Sequence, residues 1–114
     1  MKDYLLLMRG GKPLSAKTEE ETKAEWAAWG VYMAKLTENG SLTGGFPLVS
    51  GGKSVSAEGM TNEPITSSPE GIVGGYLIIK ADSLDDAAAL VKDCPHLLYK
   101  GNIEIREIAP MPEI

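Results

Sequence analysis

The chain of 114 residues contains one cysteine and one histidine, and it has no excess of positive charge. The single cysteine, Cys94, cannot form an intrachain disulfide, and a cytoplasmic location is the expectation. A net charge of -5 argues against general nucleic-acid binding, because no basic stripe is available to displace counterions from phosphates. Because no cluster of side chains has the spacing of metal ligands, neither a metal nor another cofactor is expected.

Long hydrophobic runs are also missing from the sequence. The first apolar run, residues 4–8, is too short for a transmembrane span or for the core of a signal peptide, and Asp3 adjoins it. No membrane association is therefore expected. A chain of this length is expected to fold as one domain, residues 1–114, with a core that needs no disulfide or metal.

Residues 74–106 predict a strand, a helix and a second strand. Residues 76–79 are a wholly apolar run of β-forming residues that follows a glycine pair. Ser83 caps the predicted helix, whose apolar face ends at Pro95. Residues 103–106 then alternate between apolar and polar, which is typical of a strand with one wet face.

The first half of the chain repeats this order. Residues 4–8 predict a strand, Thr18 and Glu21 form a capping box at the start of a helix, and residues 41–48 predict a second strand. Two such units in a chain of this length fit an α+β fold of the ferredoxin-like, split β-α-β type. That fold has an antiparallel sheet with both helices on one face.

The predicted first helix carries both tryptophans of the chain on one face. Trp26, Trp29, Met33 and Leu36 repeat at spacings of three, four and three residues. Such a face can pack in a core or form an aromatic cage for a ligand. Core packing is the favoured interpretation.

The segment between the two units has a different composition. Residues 49–72 are rich in Gly, Ser, Thr and Pro, and only a short alternating run around residues 54–57 indicates a strand. A segment of this length is either a functional loop or a small extra hairpin that lies over a site. The sequence leaves both interpretations open.

Topology predicts that the end of the first strand and the end of the second helix share one rim of the sheet. Arg9 lies at that rim with His96 and Tyr99, and residues 49–72 reach it, so these residues predict a ligand pocket with a lid. His96 is the candidate catalytic residue, and capping of the helix C-terminus is the competing interpretation. The competing interpretation of Arg9 is a solvated residue at the end of the strand. Lys12 is expected to be solvated as well.

Several motifs together resemble those of the YCII-related family, also called the DGPF-domain family, in the dimeric α/β-barrel group. They are YLLLM at residues 4–8, GSLTGG at 40–45, GGYLII at 74–79, SLDDA at 83–87, CPHL at 94–97 and GNIEIR at 101–106. The resemblance implies a small dimeric protein with a ferredoxin-like fold. Of the family's Asp-Gly-Pro-Phe signature, only Pro64 is present. The histidine-aspartate dyad of some members is not carried over, because no histidine precedes His96.

Two functions from different classes are compatible with these residues. The preferred one is a small-molecule binding or accessory module of unassigned pathway. The alternative is an enzyme acting on a small organic substrate, with His96 as general acid or base and Arg9 orienting the ligand. A homodimer through the sheet face is also expected, because residues 5–7 and 77–79 are apolar at consecutive positions and two helices can cover only one face.

Overall fold

Two strand-helix-strand units with a small hairpin between them make up the structure, a computed structural model that describes residues 1–11, 17–49, 51–65 and 71–112. In chain order the elements are β1 (Lys2–Gly10), α1 (Glu19–Glu38), β2 (Leu42–Pro47), β3 (Ser54–Ser56), β4 (Gly59–Thr61), β5 (Val73–Ala81), α2 (Leu84–Val91), a 3₁₀ helix (Pro95–Tyr99) and β6 (Gly101–Glu107). The repeated unit predicted from the sequence is therefore confirmed.

The main sheet has four antiparallel strands in the order β2-β5-β1-β6. Leu6 of β1 pairs with Leu77 on one side and with Ile105 on the other, so the two predicted units interleave through their first strands. This order, with two helices, is the ferredoxin-like α+β arrangement expected from the sequence. Within the described ranges, no helix is long and apolar enough to cross a membrane.

Side-chain capping starts both helices where the sequence predicted. Thr18 Oγ1 accepts the Glu21 backbone N–H at 3.0 Å, and the Glu21 carboxylate accepts the Thr18 N–H at 3.3 Å. Ser83 Oγ accepts the Asp86 N–H at 3.1 Å at the start of α2. Each cap satisfies a helix N–H that has no partner within the helix, and a cap of this kind contributes about 1 kcal/mol.

The core lies between the two helices and one face of the sheet. Tyr4, Leu6 and Met8, at alternate positions of β1, are buried, as alternation along a strand requires. Tyr32 and Leu36 of α1 pack into the same cluster. Burial of a side chain the size of Leu36 contributes roughly 1.5–3 kcal/mol, so this cluster accounts for much of the stability.

The tryptophan face of α1 differs from the prediction at its first turn. Trp29 and Met33 pack against the core, but Trp26 is 67% exposed. Core packing is therefore the wrong interpretation for Trp26. The cause is a cavity at this end of α1, where the sheet beneath the helix contributes glycines such as Gly45 and Gly75 in place of bulky side chains.

The segment between β2 and β5 contains a small extra hairpin, which is one of the two interpretations that the sequence left open. β3 pairs with β4, and Val55 lies opposite Met60. Both side chains are largely exposed. Of residues 49–72, those that the structure describes do not line the cavity, so the hairpin is not a cover over it.

The second face of the sheet carries apolar side chains on its two central strands. Leu5 and Leu7 of β1 alternate with the buried residues and are only partly covered. Tyr76 and Ile78 do the same on β5. Phe46 of β2 contacts Tyr76 edge to face with ring centres 6.3 Å apart and stays 68% exposed. Both helices pack on the other face, so this one presents a continuous apolar surface.

Candidate functional site

A cavity of about 480 Å³ lies between the N-terminal half of α1 and the end of the sheet where β1 and β2 finish. Trp26, Trp29 and Tyr99 contribute aromatic side chains to its lining. Phe46 and Tyr76 are also among the lining residues, but their side chains lie on the other face of the sheet. The titratable groups in the lining are Lys17, Glu25 and His96. Aromatic walls with a few polar groups are typical of a site for a small organic molecule.

Glycines create the space under α1. Gly75 sits between Met8 of β1 and Pro47 of β2 in the register of the sheet. Gly45 has φ 149°, and a Cβ built there would overlap with the Tyr76 carbonyl oxygen, so only glycine fits this position. At these two positions the sheet therefore carries no side chain below α1. The glycine pairs were visible in the sequence, but their joint position under α1 was not.

His96 lies in the 3₁₀ helix and is half-buried at the rim of the cavity. Its Nε2 lies 2.9 Å from the backbone carbonyl oxygen of Arg9. Because a carbonyl oxygen only accepts, Nε2 carries the proton, and Nδ1 of the neutral ring is an acceptor. The ring thus bonds to β1, and it does not cap the carbonyls of α2. This contact supplies the orienting partner that the sequence could not identify.

Lys17 and Glu25 form an ion pair at the same cavity. Their side chains are only 11% and 21% exposed. Lys17 Nζ also lies 5.0 Å from the centre of the Tyr99 ring, within the range of a cation–π contact. One positive and one negative charge cancel here, so with a neutral His96 the described lining carries no net charge. Sequence reasoning missed this pair because Lys17 precedes the helix and no helical spacing links it to Glu25.

The structure brings His96 and Tyr99 to the cavity but places the Arg9 side chain on the opposite face of the sheet. Met8, the preceding residue, points into the core, so alternation turns Arg9 away from it. Arg9 Nε donates to Glu104 Oε1 at 3.1 Å, and hydrogen bonds from Arg9 and then Arg106 lower the pKa of Glu104. The expected orienting role of its guanidinium is therefore corrected, and only its backbone reaches the site.

Two further sequence-based expectations concern this region. Lys12, read as a solvated residue, lies outside the described residues. In the part of the chain that the structure describes, no group of three or more His, Cys, Asp or Glu side chains could hold a metal ion. Among the described residues, the lining of the cavity offers an imidazole, an ion pair and aromatic rings.

The model of the YCII-related domain matches residues 4–112 of the chain. The chain belongs to the YCII-related family. A solved structure with the same fold is 5-chloro-2-hydroxyhydroquinone dehydrochlorinase (TftG) from Burkholderia phenoliruptrix AC1100, in complex with 2,5-dihydroxybenzoquinone. The TM-score is 0.52 at 18% sequence identity, over 93% of each chain, and at this identity the likeness shows the fold alone. The comparison with curated proteins gives no match.

In this YCII-related chain, residues 62–65, where the family's Asp-Gly-Pro-Phe signature was expected, are not among the residues that line the cavity. The Asn62 side-chain oxygen accepts the Lys53 ammonium at 2.6 Å. The Glu63 carbonyl accepts the Ser54 hydroxyl at 2.7 Å. These contacts close the base of the β3–β4 hairpin.

Proposed function

We propose that the protein binds a small, planar organic molecule in the cavity between α1 and the sheet. The observation that supports this most is the cavity itself, with about 480 Å³ of space and predominantly apolar walls that include Trp26 and Trp29. Ligand pockets typically enclose about 300–1,000 Å³. TftG, which shares the fold, is described in complex with a ring compound, 2,5-dihydroxybenzoquinone, and this favours an aromatic or quinone-like ligand.

The tryptophans of α1 are the contacts that we expect a flat ligand to use. Trp29 is held by an edge-to-face contact with the buried Tyr32 ring, whose centre is 5.9 Å away, so its orientation is fixed before binding. Trp26 is 67% exposed and lines the cavity, so a ligand would cover part of it. Aromatic pairs of this kind contribute about 0.5–1.5 kcal/mol beyond the area that they bury.

The test is a thermal-shift screen of aromatic and non-aromatic small molecules on the wild-type protein and on Trp26→Ala. The control is Val31→Ala, because Val31 lies on the same helix, is 74% exposed and does not line the cavity. We expect aromatic compounds to raise Tm in the wild type and in the control, and to lose most of that effect in Trp26→Ala.

Fluorescence gives a second readout of the same site. The chain has two tryptophans, and both line the cavity, so a ligand stacked on them should quench the emission. If no compound shifts Tm or quenches emission at millimolar concentration, or if Trp26→Ala responds like the wild type, the cavity is not the binding site.

A second candidate is an enzyme that acts on such a ligand, with His96 as general acid or base. The specific observation in its favour is the 2.9 Å contact between Nε2 and the Arg9 carbonyl, which fixes the tautomer of the ring. A compound identified by the screen would be incubated with the wild type and with His96→Gln, and products followed by mass spectrometry. Product formation that depends on His96 favours the enzyme, whereas binding without any product favours the binding module.

We further propose a homodimer formed through the uncovered sheet face, in the dimeric α/β-barrel arrangement. Leu5, Leu7, Tyr76 and Ile78 supply the apolar surface for it. Sedimentation velocity should show a dimer at micromolar concentration, and Ile78→Lys should shift it to monomer. A stable wild-type monomer would refute the dimer. The cytoplasmic location stays a prediction, which cell fractionation would test.

A further inference from the structure

The His96 ring occupies the space that a side chain at position 101 would need. A Cβ built on Gly101 would overlap with the imidazole, and the nearest atoms it meets, Nε2, Cδ2 and Cε1, all belong to His96. On the Nδ1 side, a Cβ built on Gly11 would come within 3.1 Å of Cε1 and 3.6 Å of Nδ1. The two glycines and the Arg9 carbonyl enclose the ring in a narrow space, which we call the slot.

Backbone conformation does not explain the glycine at position 101. Gly11 has φ 94°, a conformation that L residues rarely adopt, so glycine is required there in any case. Gly101 has no positive φ, and β-strand β6 begins at this residue. Alanine would therefore suit the backbone, and the contact that excludes it is the one with the His96 ring.

The slot leaves one nitrogen of the ring for a ligand. Nε2 is engaged by Arg9, whereas Nδ1 has no hydrogen-bond partner among the described residues and is not a fully buried atom. With the proton on Nε2, Nδ1 can only accept a hydrogen bond while the ring is neutral. Of the described residues that line the cavity, Lys17 is the only lysine or arginine, and Glu25 already pairs with it.

We propose that Gly101 and Gly11 are positioning residues that hold His96 with Nδ1 as a fixed acceptor, so that the cavity selects an uncharged ligand presenting a hydroxyl or N–H donor. A carboxylate would be repelled by the Nδ1 lone pair, because both groups are acceptors. To form an ion pair with Lys17 it would also have to displace Glu25. This inference rests on the proposed binding of a small organic molecule, because it names the chemical class of that ligand.

The first test needs no ligand. His96 is the only histidine in the chain, so long-range ¹H–¹⁵N NMR correlations of the protein report a single imidazole. At pH about 8.5, above the ordinary titration range of imidazole, the spectrum should show the Nε2–H tautomer alone. A wild-type ring with its proton on Nδ1, or a mixture of tautomers, would overturn the proposal.

The second test compares Gly101→Ala with Gly44→Ala. Gly44 is a matched control because it also lies in a strand, has no positive φ, and a Cβ built on it meets nothing within 4 Å. Phenol and benzoate serve as probes, one with a neutral donor and one with a carboxylate. We expect phenol to bind the wild type and the control, and to bind Gly101→Ala about tenfold more weakly, since the contribution of one hydrogen bond is lost. Benzoate should bind none of them detectably.

The double variant Gly101→Ala/His96→Ala separates positioning from folding. Removal of the ring relieves the overlap, so the double variant should regain the stability that Gly101→Ala loses, but it should not regain affinity for phenol. Unchanged tautomer and unchanged phenol affinity in Gly101→Ala would overturn the role of the slot. Equal binding of phenol and benzoate would overturn the ligand class. A third outcome separates the two proposals. If the wild type has a single tautomer that Gly101→Ala disturbs, but no aromatic compound binds, the role of the slot stands. The proposed function and the ligand class are then refuted.

Discussion

Two buried tyrosines lead to opposite expectations for the same substitution. Tyr4 in β1 and Tyr32 in α1 are 0% and 4% exposed. The Tyr32 hydroxyl donates to the Leu90 carbonyl at 2.8 Å. The Tyr4 hydroxyl is fully buried, and within the described residues it has no hydrogen-bond partner. Replacing either residue by phenylalanine removes one oxygen atom and leaves the ring in place.

The magnitudes differ because, among the described residues, the Tyr32 hydroxyl has a hydrogen-bond partner and the Tyr4 hydroxyl has none. A buried polar group without a hydrogen bond costs about 1–3 kcal/mol, so Tyr4→Phe should raise the free energy of unfolding by about 1 kcal/mol or more. Tyr32→Phe loses a hydrogen bond and leaves the Leu90 carbonyl without that donor, so it should lower the free energy of unfolding by about 1–2 kcal/mol. The two variants should therefore differ by about 2–3 kcal/mol, or about 8–12 °C in Tm for a chain of this length.

Urea unfolding followed by far-ultraviolet circular dichroism measures this difference. The wild type is the common reference, and the three m-values should agree, so that the midpoints report stability alone. If Tyr4→Phe destabilises the protein as much as Tyr32→Phe does, the Tyr4 hydroxyl is hydrogen-bonded in solution and the reasoning is refuted.

Three other expectations concern a helix surface, a thiol and alkaline pH. Gly30→Ala should raise the free energy of unfolding by about 1 kcal/mol in urea titrations, because Gly30 is exposed inside α1 and a Cβ built there meets nothing within 4 Å; a loss of stability would show that this surface is in contact with something. Burial raises the pKa of Cys94 to about 11, so a chromogenic disulfide reagent should react with it at pH 8 only after urea is added, and rapid reaction of the native protein would contradict this. Burial also raises the pKa of Tyr32 above its ordinary value, so both groups stay neutral in the folded state at a pH where they ionise in the unfolded chain. The contribution of these two neutral groups to the free energy of unfolding is complete below pH 9 and is lost as the pH rises further. The urea midpoint of the wild type should therefore fall between pH 9 and 11. Tyr32→Phe should show a smaller fall.

The architecture was predictable because its signals are local. The capping box at Thr18, the cap at Ser83 and the apolar runs of residues 4–8 and 76–79 depend on neighbours in the chain, and each starts or builds an element that the structure contains. Because two strand-helix-strand units of this size have few ways to share one sheet, the order of the strands followed from topology.

The site was less predictable because it depends on contacts between distant segments. The rim that joins His96 to the end of β1 followed from topology, but the sequence contains no signal that the Arg9 carbonyl is the partner of the ring. Strand alternation did contain the signal for the Arg9 side chain: once Met8 is assigned to the core, its neighbour must face the other way. Trp26 was assigned to the core because its helical spacing says nothing about the glycines opposite it.

The exposed Trp26 is informative because the rest of that helix face is well packed. Full burial of a large aromatic side chain contributes roughly 1.5–3 kcal/mol. Trp26 contributes only part of this free energy, because Gly45 and Gly75 opposite it offer no side chains to pack against. Incomplete packing that lowers stability locally is expected at functional sites, where a ligand occupies the open space. A ligand that fills the cavity would recover the missing burial on binding. Its stabilisation should grow with concentration as RT ln(1 + [L]/Kd), about 2.7 kcal/mol at a hundredfold excess over Kd, and should fall in Trp26→Ala because Kd rises.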